Sequence, residues 1–347
     1  MTDADGAIAR VRRRLIDPGR RAPLRPIGLG TREEPLPPEV DPLPLDSLRA
    51  IEDLDREEMV VTALSGTPVD EIARAASEAG LILCPLIPIG TPGSLGGLFA
   101  SGEESPAAPV EGHLRDAVLG IEGFTGAGAP LRSGGRVVKN VTGYDLTRFL
   151  SGSRGTLAVI TRLHWRLRRA PEVWLDVAAR VETRALGRQL RALRTIPDPT
   201  AVRVDRTGRD AEIHVLLEGG RATTRARADQ VAKTLGGPIE VTELDATALV
   251  TWLDLGEGAR TCLSTREWIA HLEGENSEES AHLANGPTRE LRVRAFPFVG
   301  PGRTSGPVAS DRSAPGHLAE QIRQAWDPKG VLWNGVPPST DDTGGRR

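Results

Sequence analysis

Two glycine-rich runs, PIGLGT (26–31) and TPGSLGGLFASG (91–102), constrain the fold of this chain more than any other feature. Each run borders a predicted strand, and a strand–helix–strand segment separates the two. Glycine has no Cβ atom, so the backbone N–H groups of such turns can approach an anion closely. Neither run matches a Walker motif or the GxGxxG turn of a Rossmann unit. Together they predict either a split cradle for a pyrophosphate or ordinary loop glycines.

The composition favours a loop-rich fold and argues against a nucleic-acid partner. The 347 residues include 39 glycines and 27 prolines but only 3% aromatic residues, which favours short elements joined by many turns over long helices. A chain of this length can form two or three compact units. Its formal net charge of −3 provides no field that would draw it to nucleic acid or to an anionic membrane.

The residues that usually carry metal or nucleophilic chemistry are scattered. Cys84 and Cys262 lie far apart and outside any CxxC pair, so we expect a reducing, cytoplasmic location. The six histidines never adopt HxH or HExxH spacing, and there is no GxSxG; His214 lies on a predicted strand, where a core or surface position is expected. No apolar run approaches the roughly 20 residues that span a bilayer, and the first residues lack a signal-peptide core. The sequence therefore predicts no metal site and identifies no catalytic residue.

Short strands and helices alternate over the first 170 residues. A helix that ends at Pro18 places its apolar residues on one face and its arginines on the other, where they are expected to be solvated. A proline-rich segment, 35–44, is expected to cross the surface. The pattern further predicts strands near 24–27, 59–64, 81–86, 117–126 and 155–169, and a helix between Pro68 and Gly80.

The order of the predicted strands and helices changes after Pro171. Segments 174–181, 184–196, 201–206, 211–219, 221–237 and 239–244 follow the order strand, helix, strand, strand, helix, strand. That order is typical of the split βαβ, ferredoxin-like unit. We therefore expect a first domain over 1–170, with subdomains of about 1–64 and 65–170, and a ferredoxin-like domain over 171–245. A C-terminal segment with a closing helix (246–338) and a disordered tail (339–347) would follow.

A polar cluster falls in GGRVVKNVTGYDLTRFLSGSRGTLAVITRLHWRL (134–167), which holds the only tyrosine of the chain. Lys139, Asn140, Tyr144 and Asp145 supply a cation, an amide, a phenol and a carboxylate. Such groups could orient the rim of a bound heterocycle. The same residues also suit a loop that caps a helix, with Thr142 as the cap, and the two interpretations are compatible.

These segments resemble the FAD-linked oxidases of the vanillyl-alcohol oxidase superfamily. The resemblance rests on PIGLGT, GSLGGLFASG, KNVTGYDL, GSRGTLAVIT and the terminal AWDPKGVLWNG, which occur in the order and spacing of that family. The KNVTGYDL run in particular is similar to that of the FAD-binding subunit of bacterial glycolate oxidase. The chain departs from the family at Leu29 and Ile27, where a glycine and an arginine are usual.

The resemblance implies an α+β protein: a two-subdomain FAD-binding fold of the vanillyl-alcohol oxidase (PCMH) type, followed by the ferredoxin-like domain. FAD would lie between the two subdomains. The two glycine turns would hold its pyrophosphate, one further loop would lie near the flavin, and the strand after Gly155 would run along the adenine and ribose. The implied cofactor-binding residues are Gly28, Leu29, Gly30 and Thr31; Gly93, Ser94, Gly96, Gly97, Ser101 and Gly102; Lys139, Asn140 and Tyr144; and Gly155, Val159 and Ile160.

The resemblance also implies a role within a complex. The chain would serve a 2-hydroxyacid oxidase that converts glycolate to glyoxylate, accessory to a catalytic FAD-linked oxidase subunit and joined by an iron–sulfur subunit. It would be cytoplasmic or held at the inner membrane through its partners, without inserting into the bilayer itself. Two alternatives stay open: a self-sufficient FAD oxidase of another small alcohol or acid, and a structural subunit that has lost its flavin.

Overall fold

The computed structural model describes residues 3–31, 36–102, 105, 107, 111–135, 146–193, 195–196, 199–207, 210–253, 291–294, 321 and 324–333. Contacts divide the chain into two compact units. The first comprises Met1–Glu104, His113–Arg169 and Arg312–Arg347, and the second comprises Ser105–Gly112 and Ala170–Asp311.

The first unit alternates short strands and helices, as the sequence pattern predicts. Its helices are α1 (Asp3–Leu15), α2 (Val69–Glu78), α3 (Leu95–Ser101), α4 (Leu114–Ala117) and α5 (Leu146–Leu150). Its strands are β1 (Leu24–Ile27), β2 (Asp41–Pro44), β3 (Ile51–Asp55), β4 (Val60–Leu64), β5 (Leu81–Leu83), β6 (Val118–Thr125), β7 (Pro130–Gly134) and β8 (Ala158–Arg169).

Two sheets organise this unit. Strands β1 and β2 pair in parallel, so the end of the proline-rich segment forms a strand; proline is tolerated there because the N–H groups donated toward the β1 segment include those of Asp41 and Leu45 rather than those of the prolines. The larger sheet is antiparallel in the order β3-β4-β8-β6-β7, and β5 also pairs with β8. The 12-residue strand β8 therefore pairs with three other strands, β4, β5 and β6, and is the strand around which this sheet is organised.

Each face of the larger sheet has its own apolar core. One core joins strand residues such as Leu163 and Trp165 to the buried face of α2 and to Phe99 of α3. The other joins Val159 to β1 and to the buried face of α1. The first residues of β8 thus lie between two packed layers. This packing fixes the position of the turn that precedes β8.

The terminal DPKG segment is tied to β1. Leu24 donates its backbone N–H to the carbonyl of Val331 at 2.6 Å, and Trp333 donates to the carbonyl of Leu24 at 2.8 Å. The buried carboxylate of Asp327 accepts from the N–H groups of Val331 and Leu332 at 2.6 and 2.7 Å. These contacts hold the strand that leads into the first glycine turn.

The second unit confirms the predicted ferredoxin-like order. Its strands are β9 (Val173–Glu182), β10 (Ala201–Thr207), β11 (Asp210–Gly219), β12 (Ile239–Leu244) and β13 (Leu291–Arg294), and its helices are α6 (Leu186–Leu193), α7 (Arg221–Leu235) and α8 (Ala246–Leu253). The sheet has the order β12-β9-β11-β10-β13, with every pairing antiparallel. Apolar residues of β9, β10 and β11 bury one sheet face against α6 and α7.

Within the part of the chain that the structure describes, no helix is both long and apolar enough to cross a membrane. The tail expected over 339–347 lies outside the described residues, as does much of the expected C-terminal segment.

Candidate functional site

A cleft of about 170 Å³ lies within the first unit, where both glycine runs meet the turn before β8. Its walls include most of the residues that the resemblance implies. Those residues are Gly28, Leu29, Gly30, Thr31, Ser94, Gly96, Gly97, Ser101, Gly155 and Ile160.

The first glycine turn packs directly against the second run. A Cβ atom added to Gly28 would lie 2.1 Å from Oγ of Ser94, so a larger residue at this contact would force the Ser94 side chain to move. The turn before β8 approaches the first run in the same way. Gly155 has a φ of +74°, and its Cβ would lie 3.0 Å from Cγ of Pro26. Three segments that are distant in the sequence therefore converge because small residues let their backbones touch.

The second run is anchored to the loop after β4. Ser94 is the N-cap of α3 and accepts a hydrogen bond from the N–H of Gly97 at 3.2 Å. Gly96 donates to the carbonyl of Ser65 at 2.7 Å, and its Cβ would lie 2.7 Å from that of Ser65. The short helix ends at Gly102, which adopts the left-handed conformation with a φ of +67°.

Several polar groups on the cleft wall have no hydrogen-bond partner among the described residues. The backbone N–H groups of Gly28, Leu29 and Gly30 follow the end of β1 and donate to no described residue. The hydroxyl of Ser65 is buried, with 1% of the residue exposed, and also lacks a partner among the described residues. Unpaired backbone amides next to a buried hydroxyl suit phosphate oxygens. The wall therefore fits a diphosphate.

Leu29 does not strain the first turn. It is absent from the described non-glycine residues with positive φ, which are Met59 and Arg154, and 41% of its surface is exposed. The positive φ of the turn falls on Gly30, at +66°. A leucine at the middle position is thus compatible with the backbone.

Some residues implied by the resemblance do not line the cleft. Val159 is fully buried in the core on the other side of β8, because neighbouring strand residues point to opposite faces; Ala158 and Ile160 line the cleft instead. Gly93 and Gly102 flank α3 and stay outside the lining. Lys139, Asn140 and Tyr144 lie outside the described residues, so their role near a flavin stays a prediction.

The structure adds lining residues that sequence reasoning did not single out. The most polar are Arg25, Ser65, Ser153 and Arg154. The guanidinium of Arg25 stacks on Trp333, 4.7 Å from the ring centroid. No pattern marked Ser65, because its burial arises from contacts between distant segments. Arg154 lies within the GSRGT run, but in the sequence alone an arginine in a turn indicates only an exposed residue.

The described lining of the cleft contains no histidine, cysteine or carboxylate side chain. Across the described residues no group of histidine, cysteine and acidic side chains could hold a metal ion. His214, in the second unit, is buried and its Nδ1 lies 2.8 Å from Oδ2 of Asp176. A histidine held by a neighbouring carboxylate within a sheet fits the structural role expected from the sequence.

Comparisons with known proteins agree with this geometry. Residues 19–134 match the family described as FAD binding domain. The glycolate oxidase subunit GlcE of Escherichia coli (strain K12) is 35% identical over 179 residues, which are 51% of this chain and 50% of that protein. The glycolate oxidase subunit GlcD of Bacillus subtilis (strain 168) is 25% identical over 263 residues, 72% of this chain and 54% of that protein. The chain thus spans about half the length of these relatives.

A solved structure of alkyldihydroxyacetonephosphate synthase has a similar fold. It superposes with a TM-score of 0.66 at 13% identity and covers 94% of this chain and 74% of its own. At that identity the likeness concerns the fold alone. Together with the matched domain it confirms the predicted fold class, a PCMH-type FAD-binding fold combined with a ferredoxin-like unit.

Proposed function

We propose, on the premise that residues 19–134 form an FAD-binding domain of the FAD-linked oxidase family, that this chain is the FAD-binding subunit of a multi-subunit oxidase of 2-hydroxyacids. The observation that carries the proposal is the convergence of both glycine runs on one cleft with unpaired donors. Ordinary loop glycines would not need to meet, and they would not leave a buried serine hydroxyl without a partner.

The residues of the cleft would hold the pyrophosphate of FAD. The N–H groups of Gly28, Leu29 and Gly30 would donate to phosphate oxygens from one side, and Ser65 Oγ from the other. Ala158 and Ile160 would supply the apolar surface beside the adenosine half. Lys139, Asn140 and Tyr144 are proposed to contribute at the flavin end of the same cofactor.

When bound, FAD supplies the hydride acceptor that oxidation of an alcohol requires. The chain's own residues bind and orient it. The described lining provides no group that could take the proton of the substrate hydroxyl, and general-base help typically contributes about 10²–10⁴-fold in rate. We therefore assign turnover to a catalytic FAD-linked oxidase subunit, with this chain in an accessory role.

The names of the relatives support the proposed substrate class. GlcE and GlcD are named as glycolate oxidase subunits, and other relatives are named D-lactate dehydrogenase and D-2-hydroxyglutarate dehydrogenase. All of these names describe 2-hydroxyacid chemistry. We propose glycolate as the substrate, oxidised to glyoxylate, and an iron–sulfur subunit as the third partner. The complex would be cytoplasmic or held at the inner membrane through those partners.

Co-purification tests this assignment. The chain is expressed with an affinity tag together with the proposed catalytic flavoprotein and iron–sulfur protein, and the flavin content of each purified subunit is measured. We expect a stable complex in which this chain retains its own FAD. If, in this co-expression, the tagged chain purifies with FAD but without either partner, the subunit assignment is contradicted. A complex in which this chain never contains flavin supports a purely structural subunit.

A further inference from the structure

The turn that precedes β8 has an arginine where its backbone favours another residue. Arg154 has a φ of +51° and Gly155 a φ of +74°, and the N–H of Thr156 donates to the carbonyl of Ser153 at 3.0 Å. Two consecutive positive φ values closed by such a bond are the pattern of a type I′ turn, for which Asn-Gly is the preferred pair. An L-residue with a long side chain is strained at the first of these positions.

Among the described residues, the side chain of Arg154 forms no ion pair or side-chain hydrogen bond that would explain this strain. It is exposed and lines the cleft, and it forms no ion pair with any residue that the structure describes. Arg148, six positions earlier, pairs with Asp116 at 2.9 Å. The backbone of Arg154 is held in place, because its N–H donates to the carbonyl of Ala100 at 2.8 Å. A fixed backbone therefore presents to the cleft a cation that has no ion-pair partner among the described residues.

We propose that Arg154 is a phosphate-binding residue, whose guanidinium donates hydrogen bonds to the diphosphate of the dinucleotide. The planar guanidinium matches the geometry of phosphate oxygens. Arg25 lines the same cleft from β1 and adds a second positive charge to its wall. Backbone strain is commonly retained where it orients a functional group. This inference rests on the proposed function, since it requires FAD in the cleft.

The variant Arg154→Asn separates ligand binding from folding. Asparagine suits the left-handed position, so the flavin-free chain should unfold about 2–4 °C higher than the wild type. The lost charge-assisted hydrogen bonds should raise the FAD dissociation constant about tenfold. Isothermal titration of the flavin-free full chain gives the dissociation constants for FAD, ADP and riboflavin. Arg56→Asn is the matched control: it removes an exposed arginine from the turn between β3 and β4 with the same change in net charge, and should leave all three constants unchanged.

The three ligands distinguish the outcomes. FAD and ADP, which carry the diphosphate, should both bind more weakly to Arg154→Asn, whereas riboflavin, which lacks it, should be unaffected. Equal binding of FAD by the variant and the wild type overturns the inference and leaves the proposed function intact. An equal loss for riboflavin, or a lower unfolding temperature, assigns Arg154 a structural role instead. A wild-type chain that binds neither FAD nor ADP overturns the proposed function and the inference with it.

Discussion

The buried hydroxyl of Ser65 indicates a position where a ligand would bind. Its Oγ has no partner among the described residues, and an unpaired buried polar group costs roughly 1–3 kcal/mol. Ser65→Ala should therefore leave the flavin-free chain as stable as the wild type or slightly more so, while FAD binds about 5- to 20-fold more weakly. Thr224→Val serves as the control, because its buried hydroxyl lies outside the cleft and donates to the carbonyl of Gly220 at 2.9 Å; it should leave the FAD affinity unchanged. A loss of stability without a change in affinity would assign Ser65 to folding alone.

Gly97 tests the second glycine run more cleanly than Gly96. A side chain at Gly96 would collide with Ser65 and disturb the fold, whereas a Cβ at Gly97 would meet only Oγ of Ser94, at 3.1 Å. We expect Gly97→Val to abolish FAD retention and to leave the ferredoxin-like unit folded. Flavin absorbance measures retention, and amide hydrogen exchange of β9 and β11 measures folding. Gly6→Val, on α1, is the control; wild-type flavin content in Gly97→Val would place the phosphate site elsewhere.

Strand β8 shows what the sequence can predict and what it cannot. Its apolar run, AVIT, predicts a buried strand, and the structure forms one. Because the run is apolar at consecutive positions, it contains no alternation that would tell which residue faces the cleft. The register places Ile160 at the cleft and Val159 in the opposite core. Glycine runs were visible as local patterns, whereas the burial of Ser65 depends on contacts that no local pattern encodes.

The larger sheet is also held by an ion pair network across three strands. Arg162 on β8 pairs with Glu52 on β3 and Glu122 on β6, and its hydrogen bond to Glu52 is the main reason that its pKa lies above the usual arginine value. Only 21% of its side chain is exposed.

Removing Arg162 should therefore destabilise the sheet. Arg162→Gln leaves two carboxylates without their shared cation, so we expect a loss of about 1–2 kcal/mol in the free energy of unfolding. Urea denaturation provides the measurement. Arg132→Gln is the control, because Arg132 is 71% exposed and lies 3.6 Å from Glu122; it should change stability by less than about 0.5 kcal/mol. Equal effects of the two substitutions would contradict a special role for Arg162.

At the scale of the whole molecule, the ferredoxin-like order was predictable because the period of the apolar residues changes cleanly from strand to helix along 174–244. The added strand β13 was not, since Leu291–Arg294 is short and far along the chain from its partner β10. The pairing of β2 with β1 was hidden for a related reason, because the prolines of Asp41–Pro44 oppose a strand assignment. The local periodicity of apolar residues thus predicts helices and strands, but it does not predict which distant strands pair.

The last prediction concerns activity. The isolated chain should bind FAD yet turn over glycolate very slowly, because the described lining of its cleft offers donors for phosphate but no acid or base. His214, a buried histidine of the ferredoxin-like sheet, is already paired with Asp176. A missing base costs about 10²–10⁴-fold in rate, so glycolate-dependent dye reduction should appear only when the catalytic subunit is added. The assay compares this chain, the catalytic subunit and the reconstituted pair, with Gly97→Val in the pair as the control for its flavin. Substantial turnover by this chain alone would instead identify a self-sufficient oxidase.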